Sequence, residues 1–239
     1  LNGYGRIGRS FMRALVEREQ AQGSLTGLDV VAINDLGRAE DLLYLTRYDS
    51  THGPFPGDVS LSQGTLQIGR HRPALQSQAQ PDQLPWKEMN VDLVLECTGE
   101  FRGHADASRH LSAGARRVLV GAVPFDRADA VLVFGVNEDT LAAEHQVLSA
   151  ASCTTHCITP LLQLMNEEYG VEQALMKEVH AYTSDQNLLD HVHRDVRRGR
   201  AAAQNIVPTT SSAIGAAQAV LPWLDGRISG DSIRVPTLN

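Results

Sequence analysis

Cys153 stands in Ser152-Cys153-Thr154-Thr155-His156-Cys157, and a second short cluster, His180-Ala181-Tyr182-Thr183-Ser184-Asp185-Gln186, follows it. A cysteine attacks only as the thiolate. With an ordinary thiol pKa near ~8.5, it needs a helix N-terminus or an imidazole beside it to react at neutral pH. Both are in reach here. Ser152 and the two threonines are helix-start residues, and Ile158, Leu161, Leu162 and Met165 follow as an apolar stripe at helical spacing. Cys153 is therefore expected in the first turn, where unpaired N–H groups favour negative charge. A single cysteine reads equally well as a small core residue. Cys157, one turn on, makes a metal pair conceivable, but the pair lacks the Cys-x-x-Cys form of common zinc sites, and no metal is expected. Cys97 ends an apolar run and reads as buried.

The start of the chain carries a second signal. Gly3-Tyr4-Gly5-Arg6-Ile7-Gly8 is a GxGxxG followed by a helical pattern, with Phe11, Leu15 and Val16 on one side and Arg13, Glu17 and Arg18 off it. Such glycines bring backbone close to a pyrophosphate, which the helix N-terminus attracts. Leu28 to Asn34 reads as the next strand, and Asp35 ends it. A carboxylate there accepts from two ribose hydroxyls and repels a 2′-phosphate, which favours NAD over NADP.

Several motifs occur in order along the whole chain: Asn2-Gly3-Tyr4-Gly5-Arg6-Ile7-Gly8-Arg9, Ile33-Asn34-Asp35, Tyr48-Asp49-Ser50-Thr51-His52-Gly53, Cys97-Thr98-Gly99 and Gly135-Val136-Asn137. The cysteine and histidine clusters come next, then Arg197-Arg198-Gly199-Arg200 and Arg234-Val235-Pro236-Thr237. Together they resemble the phosphorylating glyceraldehyde-3-phosphate dehydrogenases and their sister enzymes, the erythrose-4-phosphate dehydrogenases. The resemblance implies an NAD-dependent oxidoreductase, with Cys153 as nucleophile and His180 as base. It implies that Gly3, Gly5, Arg6, Ile7, Gly8, Asp35, Thr98 and Gly99 touch the cofactor. Thr183, Arg198 and Arg234 are then expected around the substrate phosphate. Ser152, Thr154 and the Ser211-Ser212 pair are expected around the attacking inorganic phosphate.

Departures from the family pattern accompany the matches. The family's Thr-Gly pair reads Ser211-Ser212, and serine lacks the bare backbone approach of glycine. His156 stands where the family has asparagine, Gly121 where it has serine, and His191-Val192 where NAD-type members have Leu-Pro. The segment from Leu1 to Trp86 has an erythrose-4-phosphate dehydrogenase character. Ala181-Tyr182-Thr183 keeps the phosphate-binding threonine and points to glyceraldehyde 3-phosphate. A catalytically silent NAD-binding homologue would lose Cys153 or His180, and both are present. By the same resemblance, the sequence is expected to be a fragment that lacks the first sheet strand and roughly the last hundred residues. It is not expected to fold and work alone, since a central parallel strand is buried on both faces.

The elements that must hold these residues follow from the alternation of short apolar runs with helical segments. Val30–Asn34, Leu93–Cys97, Val118–Gly121 and Val131–Val136 read as strands, with helices such as 39–44 and 105–113 between them. That alternation predicts an α/β fold, a doubly wound parallel sheet of Rossmann type over 1–151. The resemblance adds an incomplete α+β catalytic domain over 152–239. Val59-Leu61 and Leu66-Ile68 suggest a small antiparallel excursion, and 174–182 reads as a strand before a long loop to Pro208. A loop of that length is usually functional; in the family it packs at subunit contacts, so a homotetramer is expected.

Composition sets the outer bounds. The 239 residues are 42% hydrophobic and 21% charged, enough for one large or two medium domains. A net charge of −7 speaks against a general nucleic-acid surface, and the Arg194–Arg200 run reads as a solvated loop or a phosphate attractant. No apolar run reaches the ~18 residues that span a membrane. Three cysteines without disulfide-type spacing fit a reducing cytoplasm.

Overall fold

A computed structural model describes residues 1–23 and 26–238. The chain divides into two compact units. The first comprises Leu1–Val131 and Thr140–Ala150, the second Leu132–Asp139 and Ala151–Asn239.

The first unit opens on the backbone of Leu1 to Gly3, which lies between two strands. Asn2 bridges in parallel to Asn34 on one side and Glu96 on the other. Helix α1 (Arg6–Gln22) follows directly, with Gly5 at its N-cap. Strand β1 (Ala32–Asn34) is buried throughout, as a parallel strand covered on both faces should be. Its side chains alternate: Ile33 packs with Met12, Leu15 and Val16 of α1, while Ala32 packs with Trp86, Val94 and Val118. These two apolar clusters are the two faces of a doubly wound sheet. Fully burying each large side chain stabilises the fold by about 1.5–3 kcal/mol.

Helix α2 (Ala39–Arg47) leads into a short antiparallel pair, β2 (Tyr48–Asp49) with β3 (Gly53–Pro54). The excursion read from the sequence is a hairpin of β4 (Val59–Ser62) and β5 (Thr65–Ile68), and the chain returns through β6 (Ala74–Gln76), parallel to β1. Beyond the Asn2 bridge come β7 (Leu93–Glu96), helix α3 (His104–Ser112), β8 (Arg117–Val120), the short β9 (Ala130–Val131) and β10 (Val147–Ser149). All pair in parallel, in the order β7-β8-β10-β9.

Three expectations need correction here. The strand read over Val131–Val136 ends at Val131. Val136 N–H and Asn137 N–H both return to the Val133 carbonyl, and Asn137 Oδ1 accepts from Val133 N–H, which closes a turn. Arg13, placed off the buried side of α1, is 9% exposed. Its guanidinium is satisfied by the Gly53 and Pro54 carbonyls, so the β2–β3 turn covers it. Cys97 is only half-buried.

In the second unit, helix α4 (Cys153–Tyr169) is followed by strand β11 (Ala174–Ala181). A long irregular segment runs to β12 (Val207–Thr209), and helix α5 (Ala213–Val220) precedes β13 (Ile228–Val235). Strands β11 and β13 are parallel in full register, and β12 is antiparallel to β13. The apolar stripe of α4 is not its covered side: Leu161 is 58% and Met165 53% exposed, whereas Thr155 and Thr159 are fully buried.

Candidate active site

Local chemistry fixes where Cys153 sits. Ser152 is the N-cap of α4, and its Oγ accepts from the Thr155 N–H at 3.1 Å. Just before it, the buried Ala151 has φ +51°, a left-handed conformation that costs a non-glycine residue about 1–3 kcal/mol. The bend delivers Cys153 as the first helical residue, exposed, with the amide ends of α4 behind its sulfur. Cys153 Sγ lies 3.2 Å from His180 Nε2.

His180 lies near the end of β11. At Nδ1 it has two neighbours with opposite demands: the Ala181 carbonyl at 2.7 Å and Arg234 Nη1 at 3.0 Å. The carbonyl requires an N–H at Nδ1, and that tautomer leaves the Nε2 lone pair for the cysteine proton. The guanidinium can only donate, and it favours the tautomer with the proton on Nε2. One proton thus has two places on the ring, which suits a group that accepts and returns a proton. Arg234 reaches His180 because the two pair across β13 and β11.

The same period of two that aims His180 aims Glu178, which is buried at 8% exposure and was not singled out from the sequence. Its Oε1 accepts from the Thr154 hydroxyl. Burial works to raise its carboxyl. The hydroxyls of Thr154, Ser232 and Ser211 and the Arg234 guanidinium outweigh this and hold it below the ordinary carboxylate value. Burial also pulls the Arg234 guanidinium down, with Glu178 pulling the other way. Cys153, Thr154, Cys157, Glu178 and His180 line one cavity of about 300 Å³.

Of the other expected phosphate residues, Ser211 acts on Glu178, while Thr183 and Arg198 are engaged elsewhere. Thr183 donates to Gln186 Oε1 at 3.1 Å and makes no hydrogen bond with Arg234 among the described residues. Arg198 is held by Asp185 and Asp195 and donates to the Thr210 carbonyl. Arg197 pairs with Asp195 and Arg200 with Asp190, so most of the arginine run is neutralised by its own loop. Ser211 Oγ accepts from the Ala213 N–H, and Ser212 is the N-cap of α5 at φ −82°, a conformation serine adopts without strain.

The first unit holds the dinucleotide residues. A Cβ on Gly8 would come 2.4 Å from the Gly3 carbonyl oxygen, so only glycine lets α1 pack this close. A Cβ on Gly5 would meet no other group within 4 Å among the described residues, which leaves that side of its backbone open to a ligand. Asp35 Oδ2 accepts from the Tyr4 N–H at 2.7 Å and Oδ1 from the Gly37 N–H at 2.8 Å, and each oxygen retains a lone pair. Gly3, Gly5, Asp35 and Thr98 line a cavity of about 340 Å³. Arg6 reaches Thr51 Oγ1, Ile7 is exposed, and Gly99 turns at φ +80°. The open glycine backbone and the carboxylate at the strand end fit a dinucleotide.

Glu96, also missed from the sequence, fixes one wall of that cavity. It is fully buried, and its Oε1 accepts from the Thr98 N–H at 2.7 Å. Its Oε2 faces His110 Nε2 at 3.0 Å, and Trp86 Nε1–H donates to His110 Nδ1 at 3.0 Å. Indole only donates, so His110 carries its proton on Nε2, and that N–H donates a hydrogen bond to Glu96 Oε2. A carboxylate inside the apolar run Leu93-Val94-Leu95 was the available signal.

Comparison with known proteins agrees with this geometry. Residues 1–104 match the profile of the glyceraldehyde 3-phosphate dehydrogenase NAD binding domain, and residues 152–239 that of the C-terminal domain. The whole chain is 47% identical to glyceraldehyde-3-phosphate dehydrogenase of Xanthobacter flavus and covers 70% of that protein. It is 45% identical to the plasmid-encoded enzyme of Cupriavidus necator and 46% to that of Pseudomonas aeruginosa, again covering 70% of each. The chain belongs to the glyceraldehyde-3-phosphate dehydrogenase family. Its N-terminal part is therefore the family's NAD-binding domain.

Cofactor choice can be tested at Asp35. Asp35→Ala is expected to lower kcat/KM for NAD by about ten- to a hundred-fold, the loss of hydrogen bonds to a charged group. Use of NADP should improve, because the repelling charge is gone. Steady-state kinetics with the two cofactors check this; an unchanged ratio would assign the choice to another residue.

Proposed function

We propose that this chain oxidises glyceraldehyde 3-phosphate to the acyl phosphate 1,3-bisphosphoglycerate, with NAD and inorganic phosphate. The observation that carries the reading is the 3.2 Å contact of Cys153 Sγ with His180 Nε2 at the N-terminus of α4. His180 draws the thiol proton, the thiolate attacks the aldehyde carbon, and His180 returns the proton to the carbonyl oxygen to give a thiohemiacetal. His180 then takes the proton of the new hydroxyl as the C–H bond breaks. NAD, when bound through the Gly3–Gly8 turn and Asp35, supplies the hydride acceptor. A thioester remains on Cys153. Phosphate attacks its carbonyl, the C–S bond breaks, and the thiolate returns. The contact between intact nucleophile and base speaks against a silent homologue.

Arg234, beside His180, is the donor proposed for the substrate phosphate, with Thr183 supplying a neutral hydrogen bond. A guanidinium offers a directional, permanently charged fork. Arg234→Ala is expected to lower kcat/KM for glyceraldehyde 3-phosphate by at least ten- to a hundred-fold. Unphosphorylated glyceraldehyde should lose less, through the slackened His180 alone. Equal losses would mean that Arg234 serves only to hold His180. A higher rate on erythrose 4-phosphate than on glyceraldehyde 3-phosphate would transfer the assignment to the sister activity, which the Ser211-Ser212 departure favours.

We place the protein in the cytoplasm, which fits its three free cysteines. No helix among the described residues is long and apolar enough to cross a membrane. A homotetramer is supported by the exposed apolar side chains of the long loop, Leu188, Leu189, Val192 and Val196.

A further inference from the structure

The residues that would receive the attacking phosphate already face an anion. Thr154 donates its hydroxyl to Glu178, and Ser211 acts on the same carboxylate. Strand register builds the enclosure: Glu178 of β11 pairs with Ser232 of β13, which pairs with Thr209 of β12. All three are buried, at 8%, 1% and 5% exposure. Among the described residues no donor stands in ordinary hydrogen-bonding geometry to Glu178 Oε2; the Ser232 hydroxyl acts on the carboxylate from outside that geometry, and the Thr209 hydroxyl likewise lacks a partner within it. A buried acceptor left unpaired in a polar recess is suited to a water molecule. Glu178 itself lines one cavity with Cys153, whose sulfur carries the acyl group.

We propose that Glu178 is a general base that delivers water to the Cys153 thioester, giving this chain a hydrolytic branch beside phosphorolysis. The proposal rests on the acylation of Cys153 argued above. Glu178 takes a proton from water as the water oxygen bonds to the thioester carbonyl carbon. The C–S bond then breaks, and the proton returns to the departing thiolate. The products are the free carboxylic acid and Cys153, with no change of oxidation state after the hydride step. A carboxylate is the wrong neighbour for phosphate, because two like charges would share one recess and one cation, Arg234. It is the right neighbour for a neutral nucleophile that must lose a proton.

The test uses the intact protein with NAD and glyceraldehyde 3-phosphate, without inorganic phosphate. A burst of about one NADH per site reports acylation of Cys153. Turnover that continues after the burst, with 3-phosphoglycerate as product, reports hydrolysis. Both are expected. Glu178→Gln should keep the burst, lower the continued rate at least ten-fold, and lower KM for phosphate when phosphate is supplied. If Glu178→Gln loses the burst as well, Glu178→Asp is read by the same ratio. A burst followed by no turnover would overturn the inference and leave the proposed function standing. Continued turnover unaffected by loss of the carboxylate would overturn the role of Glu178. Absence of any burst in the native protein would instead sink the acylation on which both readings depend.

Discussion

Cys153→Ser is expected to abolish NADH formation from glyceraldehyde 3-phosphate while leaving NAD binding nearly unchanged. A serine hydroxyl at the same helix position has a far higher pKa than a thiol, so neither the N-terminus of α4 nor His180 can ionise it at neutral pH. The residues proposed for the cofactor, Gly3 to Gly8 and Asp35, belong to the other unit. Alkylation makes the same point without mutation. Iodoacetamide should label Cys153 faster than Cys97 or Cys157. Burial pushes the half-buried Cys97 thiol up to about 11, so it stays protonated at neutral pH. Cys157 is as exposed as Cys153, which makes it the sharper control. Equal labelling of Cys153 and Cys157, or an active serine variant, would remove Cys153 from the mechanism.

His180→Asn is the second large effect. Asparagine can fill the end of β11, but its amide cannot carry the proton that Nε2 takes from sulfur and later from the thiohemiacetal hydroxyl. General acid–base catalysis of this kind contributes typically about 10²- to 10⁴-fold, and kcat should fall within that range. Two further readouts separate chemistry from scaffold. The alkylation rate of Cys153 should drop toward that of Cys157, because the 3.2 Å contact at Sγ is lost. The Kd for NAD should not move. A kcat within ten-fold of the native value, with Cys153 as reactive as before, would assign the base to another group.

Much of this arrangement was legible in the sequence because it is local. Ser152 as a cap, Cys153 in the first turn and the open glycine turn before α1 are set by residues within a few positions of one another. The alternating runs of β4 and β5 likewise carry their own period. What failed was whatever depended on a distant neighbour. The run Val131–Val136 has strand composition, yet the Asn137 side chain accepts from the Val133 N–H and closes a turn there. Arg13 has the character of a surface residue, yet the β2–β3 turn supplies its two carbonyl acceptors. Arg198 was expected near a phosphate; that its guanidinium also pairs with Asp185 is set by the folded loop and not by its immediate neighbours.

The functional consequences divide along the same line. Sequence alone pointed to the proposed nucleophile, the proposed base, the glycine turn and the acidic residue after β1, since each is carried by a short motif with its own physical reason. Tertiary structure decided that Arg234 touches His180, and that a carboxylate occupies the recess beside the nucleophile. Both follow from the register of β11, β13 and β12, in which the β11–β13 pairing joins residues 54 positions apart, such as His180 and Arg234. A one-residue slip would reverse the face of every side chain on a strand, so no property of Glu178 read along the chain could have revealed its neighbours.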